Sequence, residues 1–74
     1  MATSTYKGSQ YHTAAAEQHE KAAQFHREAV KHFESGNIAK GAENAQMAQQ
    51  CETKAQQHGN DAMKHDSDYR KQQQ

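Results

Sequence analysis

Leucine, tryptophan and proline are absent from this chain of 74 residues, and valine and isoleucine occur once each, at Val30 and Ile38. With no proline, nothing breaks a helix from within by removing an N–H. With no leucine, the usual filling of a helical core is missing. Burying one large apolar side chain contributes roughly 1.5–3 kcal/mol, whereas ordering each residue's backbone costs about 1–2 kcal/mol. The few candidates, Tyr11, Phe25, Val30, Phe33, Ile38, Met47, Met63 and Tyr69, do not offset that cost within one small domain. The expectation is a fold stabilised by a second subunit, a bound ion, or both.

An excess of one charge is also missing. Nine basic residues balance nine acidic ones, so no long-range field gathers phosphates or an anionic membrane, and nucleic acid is not an expected partner. The stretch Met1–Gln10 holds no apolar run of the signal-peptide kind, and nowhere do 18 apolar residues follow one another. The reading is a cytoplasmic protein with no membrane partner. Cys51 is the single cysteine, which excludes a disulfide within one chain and leaves a free, metal-bound or intersubunit thiol. In a reducing compartment the first two dominate. The ingredients of catalysis are absent too. There is no Gly-rich phosphate loop, nucleophile elbow or acid pair, and Cys51 and His58 stand two helical turns apart. No enzyme is expected.

What the chain does have is periodicity. His12, His19 and His26 fall seven residues apart, each followed three residues later by Ala15, Ala22 or Ala29, and the row continues to Phe33. Cys51, His58 and His65 keep the same spacing beside a small-residue row of Gly41, Ala48, Ala55 and Ala62. On an α-helix a step of seven returns to nearly the same face. Each half of the chain therefore carries a row of soft metal ligands next to a row of small residues.

Residues 1–10, rich in Ser, Thr and Gly, read as a loose arm. Helix 1 is expected over about 11–35, with Ser9 or Thr13 as N-cap. Its inward stripe is read as Tyr11, Ala15, His19, Ala22, Ala23, His26, Ala29, Val30 and Phe33, opposite Glu17, Glu20, Lys21, Gln24, Arg27, Glu28 and Lys31. Phe25, Val30 and Phe33 read as core near the turn. His32, off both rows, suits the macrodipole at the helix C-terminus.

At Ser35-Gly36-Asn37, Gly36 suits the left-handed residue that closes a helix and Asn37 the N-cap of the next. So short a connection makes the helices antiparallel neighbours. Helix 2 then runs over about 38–69, weakened at Gly59, and 70–74 form a polar tail. The fold class is all-α, an antiparallel two-helix hairpin that pairs into a four-helix bundle.

The segment Phe33-Glu-Ser-Gly36-Asn37-Ile38-Ala-Lys-Gly41-Ala42, with Ala45 and Ala48 beyond it, resembles the turn between the two helices of a tetratricopeptide-type repeat. That resemblance implies a helical hairpin; no second copy follows at the 34-residue period of such arrays. The Ala, His, Glu and Lys texture looks like that of short, histidine-rich helical-hairpin proteins of bacteria, from which no activity carries over.

Antiparallel pairing about Gly36-Asn37 sets His26 against Met47 and Cys51, His19 against Cys51 and His58, and His12 against His58 and His65. Imidazole and thiolate are preferred ligands of zinc and copper, and Glu52, Asp61, Asp66 and Asp68 can accept the second imidazole N–H. Spacing of seven separates histidines by about 10.5 Å along one helix, so every site draws on another helix. The leading expectation is a homo-oligomeric bundle that binds or buffers zinc or copper through His12, His19, His26, Cys51, His58 and His65. The alternatives are a non-catalytic structural or interaction hairpin that self-associates and, from a mean hydropathy of −1.37, a hydrophilic stress-type protein.

Overall fold

The computed structural model describes residues 6–73. Two α-helices, α1 (Lys7–Glu34) and α2 (Ile38–Gln73), lie side by side as a hairpin, and there is no strand among the described residues. Contacts between residues as far apart in the chain as Tyr6 and Asp66, and as close to the turn as Phe33 and Gly41, make the helices antiparallel along their shared length.

Small side chains at every seventh position hold them together. Ala15, Ala22 and Ala29 of α1 and Ala48, Ala55 and Ala62 of α2 are at most 8 % exposed, and Gly8 and Gly41 extend the two rows at their N-terminal ends. Seams this thin let helix axes approach to the near end of the usual 8–10 Å range. No side chain larger than alanine is buried among the described residues. Phe25 is only half-buried, while Val30 and Phe33 are exposed, so these three do not form the expected core near the turn. The alanine row occupies the centre of the interface, which leaves larger neighbours on its flanks.

The turn follows from its sequence. The Gly36 N–H donates to the Phe33 carbonyl at 3.1 Å and the Asn37 N–H to the His32 carbonyl at 2.8 Å, a Schellman closure with Gly36 at φ +87°. Asn37 then caps α2, its Oδ1 accepting the Lys40 N–H at 3.3 Å.

Both outer boundaries move. Helix α1 starts at Lys7, so residues 7–10 of the expected arm are helical, and Tyr6 takes the N-cap place without a side-chain cap bond. Ser9 and Thr13 are inside the helix, where the Thr13 hydroxyl donates to the Ser9 carbonyl at 2.9 Å. The cause is Gly8, which stands seven before Ala15 and continues the buried row. Helix α2 runs to Gln73, so residues 70–73 of the expected tail are helical as well. Tyr69, seven beyond Ala62, meets Tyr6 edge-on at 5.6 Å between ring centroids. Residues 1–5 of the expected arm and residue 74 lie outside the described residues.

Candidate functional site

Relative to the buried rows, side chains three residues on and four residues on flank the seam on opposite sides. In an antiparallel pair of right-handed helices, the three-on row of one helix shares a face with the three-on row of the other. The contacts obey that rule. Four-on residues pair on one face, where His12 Nε2 lies 3.0 Å from Asp66 Oδ2 and His26 Nε2 lies 2.7 Å from Glu52 Oε1. Three-on residues pair on the other, where the His65 ring stacks on Tyr11 with centroids 5.0 Å apart and planes 15° from parallel.

The two ligand rows consequently do not face each other. His12, His19 and His26 flank the seam on one side; Cys51, His58 and His65 flank it on the other, in the same half-buried class as Tyr11, Gln18 and Phe25. The histidines of α1 are not at the middle of a buried stripe either. All three are exposed, with the His12 and His26 side chains 56 % and 54 % accessible. The expected pairings of His26 with Cys51 and of His12 with His65 give way to His26 with Glu52 and His12 with Asp66. The physical reason is one residue of offset: His12 stands four after Gly8, whereas Cys51 stands three after Ala48.

On the histidine face the pairs form the rungs of a ladder. Asp66 anchors the first rung and also accepts a hydrogen bond from the Tyr6 hydroxyl. Hydrogen bonds from Tyr6, then from His12, hold the Asp66 carboxyl below the usual carboxylate range. The same Tyr6–Asp66 bond pushes the Tyr6 phenol up to about 12. Gly8 makes room for this clasp, since a Cβ there would stand 2.7 Å from Asp66 Oδ1. Glu52 closes the rung with His26. Between the two, the place opposite His19 falls to Gly59, where an added Cβ would meet nothing within 4 Å.

Of the four carboxylates expected beside metal-bound imidazoles, Glu52 and Asp66 lie within hydrogen-bond distance of a ring nitrogen, of His26 and His12 respectively. Tyr6 escaped the sequence reading because it lies in a stretch with no apolar period. Its signal was Gly8, in step with Ala15, Ala22 and Ala29. Each rung holds two donors, and no group of three or more His, Cys, Asp or Glu side chains placed to hold a metal ion occurs among the described residues.

The two faces also differ in charge and apolarity. The histidine face presents Ala16, Ala23, Val30 and Phe33 from α1 and Ile38, Ala42, Ala45 and Met63 from α2, with Glu52 and Asp66 paired to histidines and Glu20 and Glu34, four after Ala16 and Val30, along its outer border. The opposite face carries Lys21, Glu28, Lys40, Lys54, Asp61 and Asp68. No helix among the described residues is long and apolar enough to cross a membrane. No protein-family model, curated protein or solved structure matches the chain.

Proposed function

We propose that this chain is a non-catalytic helical hairpin that assembles with itself, laying its histidine face on that of a second copy to make a four-helix bundle. One observation carries the reading. The seam buries nothing larger than alanine among the described residues, while four of the six exposed large apolar side chains, Val30 (52 % exposed), Phe33 (41 %), Ile38 (62 %) and Met63 (66 %), stand out on a single face. Covering them supplies what the hairpin lacks, at roughly 1.5–3 kcal/mol for each large apolar side chain fully buried. Light-scattering mass across micromolar to submillimolar chain tests it. The native chain is expected as a dimer, Ala16→Glu with Val30→Glu as a monomer, and Gln18→Glu with Met47→Glu on the other face as a dimer still. A native chain that stays a helical monomer throughout removes the reading.

Transition-metal binding is a second reading, supported by the imidazole–carboxylate pairs His12–Asp66 and His26–Glu52. Nitrogen and oxygen donors of this kind suit zinc better than Cu(I), which prefers thiolate and thioether ligands. Calorimetric titration of chelator-treated protein decides it, since no uptake of micromolar Zn²⁺ and no change in Tm would exclude it.

A further inference from the structure

We infer that docking of two hairpins by their histidine faces completes two zinc-class sites, one from His12 and Asp66 of both copies and one from His26 and Glu52 of both copies. The inference rests on the self-assembly reading and specifies what the interface binds.

Each rung is half of a site. A four-coordinate zinc ion with bonds of about 2.0–2.1 Å holds neighbouring donors roughly 3.3 Å apart. The Nε2–oxygen separations of 3.0 Å in the first rung and 2.7 Å in the second are close to that spacing. An ion can therefore take the place of the proton between imidazole and carboxylate, with the imidazole proton carried on Nδ1 and the rung opening by a few tenths of an ångström. Two neutral imidazoles and two carboxylates then balance the charge of a divalent cation. For the first site, the Tyr6 hydroxyl on Asp66 provides the outer-shell bond that orients a ligating carboxylate.

Symmetry supplies the other half. Val30, Phe33 and Ile38 cluster at the turn end of the face, so apolar surface is matched to apolar surface when both turns lie at the same end. That fixes a two-fold axis parallel to the helices. Such an axis keeps every residue at its own height and sets α1 of one copy over α2 of the other. Each rung then meets its own counterpart, the imidazole of one copy over the carboxylate of the next. This crossing sets imidazole against carboxylate, a hydrogen-bonding match even without metal, which argues for a second copy as the occupant of the face. His19, opposite Gly59, brings no carboxylate and builds no third site. Cys51, His58 and His65 lie on the outer face and take no part.

Zn²⁺ alone, added to the chelator-treated full chain and followed by calorimetry with light scattering, tests the inference, and Co²⁺ reports the ligands. The expected result is one zinc per chain in a dimer. Its Co²⁺ form should show four-coordinate visible bands and no thiolate charge-transfer band. Glu52→Gln should halve uptake to one ion per two chains, and Cys51→Ser with His58→Gln should leave it unchanged. A dimer that binds no zinc overturns this inference and leaves self-assembly standing. A chain that stays monomeric with and without zinc overturns both. Loss of the ion in the Cys51→Ser variant, or a thiolate band, moves the site to the other face and likewise overturns it.

Discussion

The imidazole of His65 lies flat against the ring of Tyr11, 5.0 Å between centroids and 15° between planes. The stack joins α2 to α1 towards the open end of the hairpin, on the face that carries Cys51, His58 and His65. A ring pair of this kind is worth about 0.5–1.5 kcal/mol beyond its area. Tyr11→Ala is therefore expected to lower stability by at least that much, with hydrogen-exchange protection lost first over 7–14. Uniform loss of protection along both helices would show that the stack does not hold the open end of the hairpin.

Three glycines predict outcomes of opposite sign for the same change to alanine. At Gly59 a Cβ has open space on a helical backbone, so the substitution should stabilise by about 0.8–1 kcal/mol, the helix-propensity difference. At Gly36, φ +87° makes an L side chain cost about 1–2 kcal/mol. At Gly41 a Cβ would stand 2.6 Å from the Phe33 ring, which must swing away, so Gly41→Ala should destabilise despite its better propensity. Urea denaturation of the three variants checks the order Gly59→Ala above native above the other two.

The Tyr6–Asp66 clasp gives the open end of the hairpin a defined pH window. Asp66 titrates below its unfolded value of about 3.9, so its contribution is complete above that value and is lost as pH falls through the lower folded one. Tyr6 titrates at about 12 rather than 10.0, so its contribution is complete below pH 10 and is lost as pH rises towards 12. Among the three tyrosines, one should ionise late in an absorbance titration, and Asp66→Asn should return it to the ordinary range. Indistinguishable titration curves for native and variant chains would contradict the clasp.

Much of the hairpin was legible without coordinates. The turn at Gly36-Asn37 and all six buried alanines follow from left-handed capping and a period of seven, both local properties. Placement of the histidines was not local. His19 and His26 satisfy a broad inward stripe as well as the alanines do, and only the narrow gap between close-packed helices expels them to its rim. Which rim they occupy depends on a single residue of offset from the small row, three on or four on, combined with the antiparallel direction. That offset put Asp66, Gly59 and Glu52 instead of His65, His58 and Cys51 opposite His12, His19 and His26. The helix ends run past their expected bounds because Gly8, in step with the seam, sits in a polar stretch, and because polar residues continue the helix beyond Tyr69.

Two proposed roles of Glu52 are separable. If the carboxylate serves only the His26 rung within one chain, Glu52→Gln keeps a hydrogen-bonding amide on an exposed surface, and metal-free stability should change by less than about 1 kcal/mol. Its larger effect is expected on assembly, where imidazole and carboxylate of two copies cross. Comparing the dimer dissociation constants of native and Glu52→Gln chains in metal-free buffer measures this, and an unchanged constant would place the rung outside the interface.

If a seam of alanines is too thin to hold this hairpin alone, as proposed, folding and pairing are coupled. Thermal melting of metal-free protein followed by circular dichroism, over a hundredfold range of chain concentration, tests it most directly. The expected Tm climbs steadily with concentration, as mass action requires of a folded dimer in equilibrium with unfolded monomer. A cooperative helical transition whose Tm is the same at every concentration would contradict it.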